Sequence, residues 1–320
     1  MSYTLDMPYA HGGPLGTALF RAELADFIVI EDLGAQPEGE GEHHYLHLEK
    51  RGVNTDWVAQ RIARIAGVKA QDVGFCGLKD RYAIASQWFS VYLPKGGVAD
   101  WSVIEDDEVK LLTATVGKRK LRRGQHAGNR FIITLREIAD IDADKLRERL
   151  ELIASVGVPN YFGEQRFGRD GNNLVSAARW LEQGAPLNKM RDKGMVMSAA
   201  RSYLFNLVLA ERVRQGNWSA VLAGDVSPEF ATGPLWGRGR NLATLETLAL
   251  EELALAERQQ WLAGLEHCGL QQERRKLVLA PQALQWEFTD GVLRLEFGLA
   301  PGEFATALLR EIFLLRNAIP

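Results

Sequence analysis

The sequence predicts an α+β fold built on a mixed, mostly antiparallel sheet, with a helix-rich α/β block set into it. Three observations carry this reading. Segments of alternating or β-branched character crowd the chain up to Ile138; segments with helical spacing, rich in Ala and Leu, fill the middle; and alternation returns in LQWEFTDGVLRLEFG near the end. A β, α, β order of this kind is expected where one domain interrupts another. Residues 1–153 and 280–320 are therefore read as one discontinuous domain and 154–279 as the insertion.

Taken in order, ALFRAELADFIVIEDL, HHYLHLEK, ASQWFSVYL, VKLLTATVG and NRFIITLREI read as strands. Between the second and third, NTDWVAQRIARIAGV reads as a helix started by Asn54 or Thr55, with Trp57, Val58, Ile62 and Ile65 near helical spacing. Beyond Ile138, helices are expected over Asp142 to Val156, Asn172 to Glu182, Ser198 to Arg214, and Leu242 to about Cys268. The final alternating pair is split by Asp290-Gly291, a dipeptide suited to the positive backbone dihedrals of a tight hairpin.

A chain of 320 residues, 46% apolar and 25% charged, can bury a large core and is too apolar for a disordered protein. The N-terminal stretch lacks a basic region followed by an apolar one, and no apolar run approaches ~18 residues, so a cytoplasmic protein without a membrane span is expected. Cys76 and Cys268 form no metal-type spacing and read as free thiols. The net charge of −3 argues against a protein that coats nucleic acid indiscriminately. Against it stands GKRKLRRGQHAGNRF, which packs Lys118, Arg119, Lys120, Arg122, Arg123 and Arg130 into one segment able to draw a polyanion to one place. On composition alone, a solvated loop is the plainer reading.

GFCGLKDRYAIASQWF sets Asp80 between Lys79 and Arg81. This is either a surface ion cluster or a carboxylate kept ionised for service as nucleophile or base. Gly74 and Gly77 permit a close backbone approach, but GLKD has neither the spacing nor the hydroxyl of a P-loop. His43, His44 and His47 lack a carboxylate pair at ligand spacing and read as an exposed strand face, with no metal.

These residues carry a resemblance to the TruD family of tRNA pseudouridine synthases, over nearly the whole chain. GLKDRYAIASQ resembles the family's catalytic motif, DFIVIED its N-terminal motif, GNRF its Gly-Asn-x-Phe motif, PNYFGEQRFG its most recognisable signature and PGEFATALLREI its closing motif. The resemblance implies a pseudouridine synthase catalytic domain carrying an inserted TRUD domain. It also implies isomerisation of uridine 13 in the D arm of tRNA without a cofactor, by a monomer whose partner is tRNA and no protein or membrane. Asp80 falls on the catalytic aspartate, attacking C1′ or removing the C2′ proton. Arg21, at a position where relatives can carry Lys, and Lys79 are the candidates to pair with it. Phe27, Asn129, Phe131 and Phe304 fall on substrate-contact positions, the aromatics suited to stack a flipped base and the amide to read its polar edge. Lys118, Arg119, Lys120, Arg122 and Arg123 would grip phosphates beside Asn129. PNYFGEQRFG reads as an aromatic-packed turn, with Arg166 and Arg169 able to add contacts to RNA. The insertion is shorter around Phe230 to Leu242 than the family leads one to expect. Two rival classes are a non-catalytic RNA-binding protein of the same fold, which would not need Asp80, and a metal-free hydrolase, for which no second acid or base is evident.

Overall fold

The computed structural model describes residues 3–93, 99–190 and 192–318. In chain order come β1 (Thr17–Phe20), β2 (Phe27–Asp32), β3 (His43–Arg51), α1 (Thr55–Ala66), β4 (Val73–Phe75), β5 (Ile84–Tyr92), β6 (Val109–Gly117), β7 (Gly128–Arg136) and α2 (Ala143–Val156). There follow β8 (Val158–Pro159), α3 (Asn172–Leu181), α4 (Lys193–Arg214), β9 (Thr232–Leu235), α5 (Leu245–Ala254), α6 (Gln259–Glu266), β10 (Glu273–Lys276) and β11 (Val278–Leu279). The chain closes with β12 (Gln282–Thr289), β13 (Val292–Leu299), α7 (Ala305–Leu309) and β14 (Leu314–Asn317).

One compact unit comprises Gly16–Asp142, Pro281–Gly302 and Leu314–Pro320. Its sheet runs β12-β13-β7-β2-β5-β3-β6, with β4 on β5 and with β1 joining β7 to β14. Only β2 with β5 and β1 with β14 run parallel among the described pairs, so the sheet is mixed and mostly antiparallel. The hairpin of β12 and β13 turns at Asp290 (φ 51°) and Gly291 (φ 73°), the pair of positive dihedrals that Asp-Gly supplies. Helix α1 buries Val58, Ala59, Ile62 and Ala63 with Leu46, Leu48, Phe89 and Val91 of the sheet. Trp57 stays 39% exposed, its ring under the Arg61 guanidinium. ALFRAELADFIVIEDL is two strands, broken at Arg21, whose φ is 61°.

The other unit comprises Met1–Leu15, Ala143–Ala280 and Glu303–Phe313. Its edges differ from the expected 154–279 because α2 and two distant segments pack with the helices. Arg149 of α2 donates to the carbonyls of Gly13 and Glu311, and the buried Glu311 carboxylate accepts from the amides of Ala10 and His11. From Ala199 to Val213 helix α4 is buried almost all round, as a central helix must be. Its Asn206 closes the Phe162 backbone with two bonds of 2.9 Å. The expected single helix from Leu242 to about Cys268 is instead α5 and α6, separated by a 3-10 turn at Ala256–Arg258. No described helix is long and apolar enough to cross a membrane.

Candidate active site

Asp80 lies in the irregular segment between β4 and β5, where no ladder satisfies the backbone. Side chains do so instead. Gln87 Nε2 donates to the Gly77 carbonyl (2.6 Å), the Lys79 amide donates to Thr55 Oγ1 (3.0 Å), and Thr55 in turn donates to Gln87 Oε1 (3.1 Å). Lys50, fully buried, donates to the carbonyls of Asp80 (2.7 Å) and Val53 (2.8 Å). Burial pushes the Lys50 ammonium down to about 8, against the opposing pull of the Asp80 charge. The turn is thus fastened from below by groups on α1, β3 and β5.

The Asp80 carboxylate accepts from Arg21 Nη2 at Oδ2 (2.6 Å) and from the Tyr82 amide at Oδ1 (3.1 Å). Its side chain is 24% exposed, so a substrate can reach it. The Arg21 guanidinium lies 4.7 Å from the centre of the Phe20 ring and 4.6 Å from that of Phe27. Two aromatic faces and a positive φ fix its position, an uncommon conformation for a residue with a side chain.

The expectation that Asp80 sits between Lys79 and Arg81 is corrected by this geometry. Lys79 Nζ ion-pairs with Glu31 Oε2 (2.7 Å) and donates to Asn129 Oδ1 (2.6 Å), with both charged side chains buried. Glu31 is held by the Trp88 amide at 3.0 Å. Arg81 donates to the Gly52 carbonyl and lies over Tyr82. Each of the three side chains finds a different partner, so neighbours in sequence do not become neighbours in charge. Among the described residues, Arg21 is the cation that meets the Asp80 carboxylate.

Asn129, on β7, is clamped between Lys79 and His126, whose Nε2 is 3.2 Å from Asn129 Nδ2. Burial and the Lys79 charge push the His126 imidazolium down, favouring the neutral ring. The clamp fixes the orientation of the amide and leaves it one further lone pair and one further N–H. Phe27 and Phe131 are both buried and stack on each other (6.0 Å), and Phe131 stacks also on Phe297 (5.6 Å). Phe131 is stacked between Phe27 and Phe297, and Phe27 lies between Phe131 and the Arg21 guanidinium, so the expectation that these two rings stack a flipped base face to face is corrected: they are buried side chains that back the site. Phe304 belongs to the helical unit, where it is partly exposed and packs against Phe162 (6.0 Å).

The basic residues occupy the loop from β6 to β7. Lys118 pairs with Glu40 (2.5 Å), Lys120 donates to the Gln71 carbonyl (2.6 Å), and Arg123 covers Phe75 at 4.3 Å. Arg119 and Arg122 are exposed. Lys120, Arg122 and Arg123 line an open depression of about 660 Å³ together with Gln60 and Gln71. Gly74 serves this loop and not a ligand, since a Cβ there would lie 2.4 Å from the Leu121 carbonyl. His43, His44 and His47 pack against Tyr92, Trp101 and Trp88, and no group of three or more metal-ligating side chains occurs among the described residues.

Lys50 and Glu31 escaped the reading of the sequence, yet a signal existed. The alternation of β3 puts Lys50 on the side of Leu46 and Leu48, and a lysine at an inward register calls for a partner.

A family model described as tRNA pseudouridine synthase D (TruD) matches residues 8–185. A tRNA pseudouridine synthase D of Cellvibrio japonicus (strain Ueda107) is 47% identical over 319 residues, covering 98% of this chain and 95% of that protein. One from Aeromonas hydrophila subsp. hydrophila is 42% identical over 337 aligned positions, covering 98% and 95%. Among solved structures, one from Methanosarcina mazei bearing the same name matches with a TM-score of 0.66 at 22% identity, over 96% of this chain and 95% of that one, a likeness of fold.

Proposed function

This chain belongs to the tRNA pseudouridine synthase D (TruD) family, and we propose that it isomerises uridine 13 in the D arm of tRNA to pseudouridine, with Asp80 as the catalytic carboxylate. The observation that carries the assignment to Asp80 is its environment. The carboxylate is reachable and oriented by the Arg21 guanidinium and the Tyr82 amide, and the residue is anchored through its backbone carbonyl by the buried Lys50 ammonium. Preorganisation of this kind is what a nucleophile or base needs before the substrate arrives.

The flipped uridine presents C1′ and C2′ to Asp80, which attacks the first or takes a proton from the second. Either route breaks the C1′–N1 bond, after which the uracil turns and C5 joins C1′, expelling the Asp80 carboxylate from C1′ in the first route or, in the second, adding to the glycal as Asp80 returns the proton to C2′. The hydrogen on C5 is lost, N1 gains one, and the product has the mass of the substrate. Arg21 holds Asp80 in place and faces developing charge. Asn129, held by Lys79 and His126, reads the polar edge of the base. Phe27 and Phe131 back the Asp80 site with buried apolar surface, the partly exposed Phe304 of the helical unit offers its ring to a base of the substrate, and Lys118, Arg119, Lys120, Arg122 and Arg123 receive phosphates. In this reading a single chain suffices, acting in the cytoplasm.

The test is incubation with unmodified tRNA, without metal or nucleotide, followed by carbodiimide mapping. Modification confined to position 13, and absent from tRNA with cytidine there, is expected. No pseudouridine, or pseudouridine elsewhere, overturns the assignment.

A further inference from the structure

In the helical unit, two guanidinium groups converge on one aromatic ring. Arg275 lies 4.2 Å from the centre of the Phe162 ring and Arg166 lies 5.4 Å from it. Arg275 is provided for: Asn160 Oδ1 accepts from it at 2.5 Å, and the charge of Glu303 favours its protonated form. Arg166 is not provided for in the same way. Its polar side-chain contact is with Ser198 Oγ at 3.1 Å, and among the described residues no carboxylate pairs with it. Burial disfavours its charge, and the two cations also disfavour each other. A partly desolvated guanidinium with no counter-ion and a like charge nearby is a costly arrangement unless an anion completes it.

The surroundings say which anion. Arg166 also lies 5.7 Å from the centre of the Phe304 ring, which is partly exposed. Arg166 is only partly buried, so the fork can be reached. An aromatic platform beside a guanidinium fork is the pairing that takes a base on one and its phosphodiester on the other. We propose that Arg166 binds a backbone phosphate of the RNA substrate, adjoining the nucleotide that meets Phe304. The proposal rests on the assignment of RNA as substrate and adds a phosphate subsite carried by the helical unit.

The experiment measures tRNA binding against salt for the parent, Arg166→Gln and Arg166→Lys, with thermal melting of each. Loss of one charge-assisted contact should weaken binding about tenfold for Arg166→Gln. The slope of log affinity on log salt should fall by about 0.7 to 0.9, and Arg166→Lys should keep the parent slope. An unchanged slope in Arg166→Gln overturns the proposal, whether melting holds or drops, because a packing role moves the melt and not the slope. A parent that binds no tRNA removes the RNA assignment itself, a result distinct from a parent that binds and an Arg166→Gln that binds equally well.

Discussion

Replacing Lys50 by Met separates two effects that usually move together. The ammonium is wholly buried, and its two bonds go to the carbonyls of Asp80 and Val53. Met fills similar volume and leaves both carbonyls unpaired, at about 1 to 3 kcal/mol each. Against this, burial lowers the Lys50 pKa from 10.5 to about 8, which is a cost to the folded state of about 3 kcal/mol at neutral pH that Met removes. At pH 7 the variant should therefore lie between about 1 kcal/mol above and about 3 kcal/mol below the parent in stability. The sign of the pH dependence is the sharper forecast. Between pH 8 and 10.5 the unfolded chain holds a proton on Lys50 that the folded one has released, so the parent gains stability as pH rises through that window. Lys50→Met cannot share this gain. Its deficit, read by urea unfolding, should grow by about 2 kcal/mol between pH 7 and pH 9.5. Turnover at pH 7 should meanwhile fall about 100-fold, since the carbonyl anchor of Asp80 is gone and a displacement of ~1 Å suffices for that loss. A deficit that is constant or shrinks with pH refutes the account of Lys50 as a charged, desolvated anchor, and near-parent turnover refutes its hold on Asp80.

The other expectations follow from the same geometry. Asp80→Asn keeps size and removes nucleophilicity and basicity, so pseudouridine formation should fall by several orders of magnitude while tRNA binding survives; Asp80→Glu, one methylene too long, should lose about 100-fold. Modification by either at near the parent rate would mean that another group does the chemistry. Glu31→Gln leaves the buried Lys79 ammonium without its counter-charge and should cost about 3 to 5 kcal/mol in denaturant unfolding, whereas a surface-like effect below 1 kcal/mol would show that the pair is dispensable. Arg119→Gln with Arg122→Gln, both exposed, should flatten the salt slope of tRNA binding by about 0.7 to 0.9 for each phosphate lost, and an unchanged slope returns the loop to plain solvation. Phe304→Ala should weaken substrate stacking by about 1 to 3 kcal/mol in turnover with the fold intact, while global unfolding would identify it as core.

Much of the fold was legible because it is local. Alternation located β3, β5, β6, β7 and the final hairpin, and Asn54-Thr55 marked the start of α1. Two elements were too short or too plain to read. β4 is Val-Gly-Phe, a strand only because β5 pairs with it, and the break at Arg21 depends on a backbone angle that Arg rarely adopts. The domain edge escaped for another reason: Arg149 looks like any surface arginine until Gly13 and Glu311 are brought to it from opposite parts of the chain. The same limit applied at the candidate site. Three cations near Asp80 could be counted, but which of them touches it depended on Glu31 and Asn129 taking Lys79 away, and both lie on other strands.

The sheet has a consequence for synthesis. β7 pairs with β2 on one side and with β13 on the other, and β1, which runs directly into Arg21, takes β14 as its parallel neighbour. A ribosome delivers β7 long before β13 and β14. While residues 137–281 emerge, the edge of β7 that β13 will later take, from Asn129 to Leu135, has no partner, and such an open edge invites another chain. The helical unit is made during that interval, so the enzyme spends much of its translation with its largest sheet unfinished. Growth conditions that slow elongation between β7 and β13 should therefore raise the fraction of this protein found in aggregates, without any change in the stability of the finished molecule.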